Sequence, residues 1–126
     1  MNDLASKNCL ACEAGTPPLA KAEAEKYLSQ VKEWELVENS TPPRHPSRLR
    51  GASGEGLKIR KRFKFSTYLE EIDFVNRLAK LAESEDHHPD LFVGYQKVTV
   101  NLTTHIIGGL SENDFVMAAK IDLIKI

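Results

Sequence analysis

The sequence predicts an α+β fold, a four-stranded antiparallel sheet with three helices packed on one face. Three observations lead there. Apolar and polar residues alternate over residues 57–65 and 97–105, the period of a strand with one buried face. Thr67-Tyr68-Leu69-Glu70 and Ser111-Glu112-Asn113-Asp114 each place a hydroxyl three residues before a carboxylate, the pattern of a helix N-terminus. The elements run helix, strand, strand, helix, strand, strand, helix, and non-helical links join each strand pair, which favours antiparallel pairing.

The 126 residues fit one domain. With 41% hydrophobic and 28% charged residues, the composition excludes a disordered or a collagen-like chain. A net charge of −1 argues against wholesale binding to nucleic acid or membrane. No apolar run reaches the ~20 residues of a membrane helix. The start lacks the basic and long apolar regions of a signal peptide. A cytoplasmic, reduced protein is expected, with a flexible arm at residues 1–17 and a single domain at 18–126.

Thr16-Pro17-Pro18 closes the arm, and Pro suits the first turn of a helix. Ala20, Ala24, Tyr27, Leu28 and Val31 recur at helical spacing and predict a helix from Pro18 to Val31. Trp34 to Val37 reads as a short strand. Residues 38–56 hold Pro42, Pro43, Pro46, Gly51, Gly54 and Gly56, a density of breakers that means a long loop.

In the next strand Leu57, Ile59, Lys61, Phe63 and Phe65 share one face, opposite Lys58, Arg60, Arg62 and Lys64. Lys61 interrupts the apolar row and is expected to snorkel at a sheet edge. The basic row reads as a solvated outer strand or a charged edge. The following helix carries Tyr68, Ile72, Val75, Ala79 and Ala82 on one stripe, with Phe74, Leu78 and Leu81 beside it. It should end near Glu83, because Pro89 disfavours helical geometry at His88.

Leu91 to Val93 and Lys97 to His105 are the last strands, with a turn at residues 94–96. Val98, Val100, Leu102 and Thr104 face one side; Thr103 and His105 face the other. Gly108-Gly109 breaks the chain before a helix to about Ile124. That helix is apolar nearly all round, so a partner chain is expected to bury its surplus surface, making it part of an oligomer interface.

Chemistry points first to histidine. His87-His88, pinned by Pro89, follows Glu83, Glu85 and Asp86, and nearby carboxylates favour the imidazolium, a setting suited to acid–base work. His105 lies on the polar face of its strand. Spacing alone favours the plainer readings, a solvated strand histidine and an ordinary helix-end cap. Asp114 has two readings as well: a cap for Ser111, or a carboxylate that orients a histidine. His45 sits in the breaker-rich loop and reads as solvated. Cys9-Leu10-Ala11-Cys12 has the spacing of half a zinc site but lacks two further ligands, so both thiols are expected to be inert.

Taken together, Glu83, His87-His88-Pro89, Tyr95, His105 and Asp114 resemble the pterin-4a-carbinolamine dehydratase family at the family's own spacings. Gly94-Tyr95, Lys97-Val98, Thr104-His105, Gly109-Leu110-Ser111, the Pro-Pro-Leu helix opening and the lone Trp34 extend the resemblance over residues 16–126. The chain departs from the pattern in its long loop at 38–56 and in the apolar pair Ile106-Ile107. The resemblance implies a pterin site lined by His87, His88 and His105, with Asp114 as supporting carboxylate. Asp86, Pro89 and Thr103 would be neighbours of the substrate and Glu83 a carboxylate at the rim.

It also implies dehydration of 4a-hydroxytetrahydropterin in tetrahydrobiopterin recycling, with no cofactor and no metal, by a homodimer or homotetramer. His87 or His105 is expected to give a proton to the leaving hydroxyl while His88 holds the ring. Some animal members bind a transcription factor as a dimerisation cofactor, so a binding module using the last helix is the alternative. Nucleic-acid binding through the basic strand is a weaker one, tested by salt-dependent retention on DNA.

Overall fold

The computed structural model describes residues 4–7, 9, 17–37 and 56–124. The elements are α1 (Lys21–Leu28), β1 (Glu35–Val37), β2 (Lys58–Lys64), α2 (Tyr68–Glu85), β3 (Asp90–Gly94), β4 (Lys97–Leu102) and α3 (Glu112–Asp122). The strands form one antiparallel sheet in the order β1-β2-β4-β3, so the α+β expectation holds. The expected loop at 38–56 lies outside the described residues except for Gly56.

Register explains the core. Ile59 faces Leu102, Lys61 faces Val100 and Phe63 faces Val98, which lines these residues up on the face that meets the helices. Ile59, Val98, Val100 and Leu102 are completely buried there. Phe63 and Phe65 stack against Phe74 of α2, and Trp34 meets Phe63 edge-on.

Lys61 does not sit at an edge: β2 is an inner strand. Its ammonium reaches Asp122 at 2.7 Å, and the indole N–H of Trp34 donates to the same carboxylate. A cation at a helix C-terminus is favoured by the dipole, so the lysine closes the end of α3. The reading of the basic row as an outer or edge strand is corrected with it. Arg60 pairs with Glu35 of β1, while Arg62 and Lys64 are exposed.

Helix boundaries shift for local reasons. α1 starts at Lys21, after the two prolines rather than on them, with the Glu23 carboxylate reaching back to the Ala20 amide. Its regular part stops at Leu28, and tighter turns carry the chain to Val31. α2 begins where expected, with the Thr67 hydroxyl accepting from the Glu70 amide. It runs on to Glu85 and closes at Asp86 in the left-handed region, where the His87 N–H reaches the Ala82 carbonyl. Its buried stripe is Glu71, Phe74, Leu78 and Ala82, whereas Tyr68 and Ala79 are exposed. The stripe is therefore rotated from the expected one, and it contains an acid.

Around α3, Phe115, Val116, Met117, Ala118, Ala119 and Ile121 are all buried within the single chain. Part of the cover comes from the arm that was expected to be flexible. Leu4–Ser6 forms a short 3-10 turn packed on α3, with Leu4 buried in the core. The N-terminal segment thus covers part of the apolar surface assigned to a partner chain, while Leu123 at the end of α3 stays exposed. Composition hid this, because a single leucine in a polar stretch suffices.

Candidate active site

The site is assembled from three chain segments. The left-handed turn at Asp86 swings the chain out of α2 and turns His87 inward and His88 outward. After β4 the chain does not continue as a strand to His105. Thr104 makes a single bridge to Gly109, and His105–Ile107 forms a 3-10 turn. Gly108 takes φ +73°, a conformation that strains any residue with a side chain. This tight turn brings Thr104 beside the first turn of α3, where Ser111 caps the helix.

Asp114 is the hub. One of its oxygens, Oδ1, lies 2.7 Å from Nε2 of His87, and Oδ2 accepts from the Thr104 hydroxyl at 2.8 Å and the Ser111 amide at 2.9 Å. The carboxylate is completely buried, so these three bonds compensate its removal from water. Both readings of Asp114 hold together: one oxygen caps the helix and the other engages a histidine. With Asp114 ionised its oxygen can only accept, which puts the proton of the neutral His87 ring on Nε2.

The other two histidines are open to solvent, and each faces a carboxylate. His88 Nε2 lies 2.6 Å from Glu83 Oε1, and the His88 side chain is 54% exposed. His105 is 74% exposed, with Nε2 at 3.9 Å from Asp90 Oδ2. Asp90 opens β3 two residues after His88, so His88 and His105 flank the start of that strand. One buried ring and two exposed rings, each beside its own acid, form an arrangement able to give and take protons.

The remaining expected residues divide. Glu83 is the partner of His88. Asp86 is exposed and supplies the backbone turn; Pro89 is half-buried behind the histidine pair. The Thr103 hydroxyl is engaged with the Leu57 and Gly109 carbonyls, so it braces the β4 exit.

Thr104, Asp90 and Glu85 escaped the sequence reading. Thr104 reads as a strand residue on the apolar face, and Asp90 carries no local signal. Glu85 was one acid in a run. Its carboxylate accepts the Cys9 N–H at 2.7 Å. The Cys9 thiol is pushed up to about 12, by burial first and then by the negative charge of Glu85. Among the described residues no group of three His, Cys, Asp or Glu is placed to hold a metal ion.

Comparison with known proteins identifies the family. The family model for pterin 4 alpha carbinolamine dehydratase matches residues 17–124. A relative from Nitrosomonas eutropha, named "Putative pterin-4-alpha-carbinolamine dehydratase", is 43% identical over 125 residues, 98% of this chain and 95% of its own. One of the same name from Nitrosospira multiformis is 43% identical over 122 residues, covering 97% and 92% of the two chains. A solved structure from Brucella melitensis, described as a transcriptional coactivator/pterin dehydratase, superposes with a TM-score of 0.65 at 30% identity. It covers 83% of this chain and 95% of that one.

Proposed function

The chain belongs to the pterin 4 alpha carbinolamine dehydratase family, and on that premise we propose that it dehydrates a 4a-hydroxytetrahydropterin to the quinonoid dihydropterin. The bond from carbon 4a to the hydroxyl oxygen breaks, and the oxygen takes a proton and leaves as water. The neighbouring ring nitrogen gives its proton to a base, and its electron pair becomes the new C=N bond. One acid and one base suffice, each worth roughly 10²–10⁴-fold.

The observation that carries the reading is the buried His87–Asp114 pair beside two exposed histidines. Asp114 fixes the orientation of His87 and offsets the charge that the ring acquires on taking a proton at Nδ1. His88 and His105 are accessible to a planar ring arriving from solvent. Proton transfer to the hydroxyl is assigned to His87 or His105, and holding the ring to His88. In the cell the reaction would follow aromatic hydroxylation and deliver a quinonoid dihydropterin, which a separate two-electron reduction must convert before the pterin is used again. Stopped-flow decay of the freshly generated carbinolamine, with and without the protein, tests the proposal. A rate equal to the uncatalysed one defeats it.

The proposal includes a homo-oligomer, moved from α3 to the edge of the sheet. β3 is an outer strand, and Phe92, Val93 and Tyr95 lie exposed on or beside it, with Tyr68 stacked near Tyr95. An edge with free backbone groups and exposed apolar side chains favours pairing with its own copy. Sedimentation of wild-type and Val93→Glu proteins checks this; a wild-type monomer at micromolar concentration rejects it.

The coactivator wording attached to the Brucella structure raises the alternative of a transcription-factor dimerisation module. Burial of most of α3 in its own chain weighs against that helix as the docking element. Pull-down with an isolated activator dimerisation segment tests what remains of it.

A further inference from the structure

We infer that Glu85, through the N-terminal segment it holds, is a positioning residue for the His87–Asp114 pair; the inference rests on the acid–base role proposed for that pair. Glu85 ends α2, two residues before His87, and its side chain is only 12% exposed. An acid at a helix C-terminus is opposed by the dipole, and burial opposes it further. Two contacts offset this. Oε1 accepts the Cys9 backbone N–H at 2.7 Å, and Oε2 lies 3.9 Å from Nζ of Lys120 on α3. One carboxylate therefore joins the end of α2, the N-terminal segment and α3.

The same segment is anchored at its other side to the first turn of α3. Lys7 Nζ lies 3.2 Å from Glu112 Oε1, and the Cys9 thiol faces the Asn113 carbonyl at 3.8 Å. Leu4 is buried in the core against that helix. Glu112 and Asn113 directly precede Asp114. The segment thus spans the two elements whose separation sets the His87–Asp114 distance: it grips α2 just before the histidine and α3 just before the aspartate. A hydrogen bond of 2.7 Å tolerates little drift between them.

Glu85→Ala and Glu85→Gln separate positioning from general stability. The alanine variant loses the acceptor for the Cys9 N–H; the glutamine variant keeps an oxygen there. Glu85→Ala should lower kcat about tenfold, with KM unchanged within about twofold, because a small misplacement of an acid–base group costs rate rather than binding. Glu85→Gln should recover most of kcat. By NMR, the His87 ring proton facing Asp114 should exchange about tenfold faster in Glu85→Ala than in wild type or Glu85→Gln.

Wild-type protein supplies a second measurement, needed if Glu85→Ala fails to fold: openings that release the Cys9 amide should also release the His87 ring proton. Wild-type kcat with wild-type ring exchange in Glu85→Ala overturns the inference. So does a ring proton that stays protected while the Cys9 amide exchanges. Faster ring exchange in Glu85→Ala, when even the wild-type protein leaves the carbinolamine decay unchanged, keeps the positioning role and discards the proposed activity.

Discussion

His87 and Asp114, 27 residues apart in the chain, meet through Nε2 and Oδ1 at 2.7 Å in a site where the carboxylate is wholly buried. Asp114 also holds Thr104 and Ser111, so one side chain ties the exit of β4 and the start of α3 to the end of α2. Chemistry and architecture share this residue, and changes to it should affect both.

Asp114→Asn keeps the size and one acceptor but places an amide where a carboxylate accepts three bonds. It should slow dehydration about 10²-fold or more, by analogy with other histidines deprived of their orienting acid. Asp114→Ala should in addition lower stability by about 3 kcal/mol, because it strands the buried partners of the carboxylate. Urea melts and stopped-flow rates on both variants give the two numbers. Full activity in Asp114→Asn would show that the pair is structural only.

His88→Ala and His105→Ala should each slow dehydration at least about tenfold while leaving the melting curve nearly unchanged. Both rings are exposed, and neither contributes to the core. If both variants keep the wild-type rate, the reactive pterin does not lie between them.

How far the chain could be read in advance depended on distance along it. Local signals were reliable: the Thr67 and Ser111 caps, the alternation of β2 and β4, and the turn expected at 94–96, of which Gly94 belongs to β3, sit where a few adjacent residues place them. Errors arose where a residue far away decides. Lys61 looked like an edge residue because its partner, Asp122, lies on the last helix. Part of the apolar surface of α3 looked uncovered because the segment that packs on it, with Leu4, is at the other end of the chain.

His105 was placed on a strand because the bridge from Thr104 to Gly109 that ends β4 leaves no mark on the alternation. For the site, spacing left Asp114 as either cap or catalytic support. In the fold one oxygen caps the helix and the other meets His87, so the two readings do not compete.

Glu71 is completely buried on α2, and among the described residues neither of its carboxylate oxygens has a hydrogen-bond partner. Such a group costs free energy in any protonation state. Glu71→Met, close in length and apolar, should raise stability by about 1–3 kcal/mol. Thermal and urea unfolding measure it. A loss of stability would mean that the carboxylate has a partner which appears only in a larger assembly.

Cys9 should resist alkylation. Its thiol is pushed up to about 12 by burial and by Glu85, and only the thiolate is nucleophilic. At about pH 8 roughly one molecule in 10⁴ carries the thiolate, against roughly a quarter for a free cysteine. Iodoacetamide labelling followed by peptide mapping should leave Cys9 unmodified in folded protein and modified in urea. Rapid labelling of the native protein at Cys9 would show that the segment opens freely, and would weaken the case for its hold on Glu85.

Tyr27 and Glu112 should make stability depend on pH at both ends. The phenol donates to the Glu112 carboxylate at 2.8 Å. That bond first, helped by Lys7, holds Glu112 below its ordinary value of 4.5, while the same bond and burial raise Tyr27 above 10.0. A carboxylate with a lowered folded value stabilises the protein above 4.5 and loses that contribution as pH falls through the folded value. A phenol with a raised value contributes fully below 10.0 and loses it as pH rises through the folded value. The effect is at most about 1 kcal/mol, because Glu112 is exposed enough for solvent to screen the pair. Tyr27→Phe should therefore melt below wild type near about pH 7 and approach it as pH falls below 4.5 and through the folded value of Glu112. A gap between the two melting temperatures that stays constant over that range would show that the aromatic stack of Tyr27 on Phe115, rather than its hydroxyl, accounts for the stability.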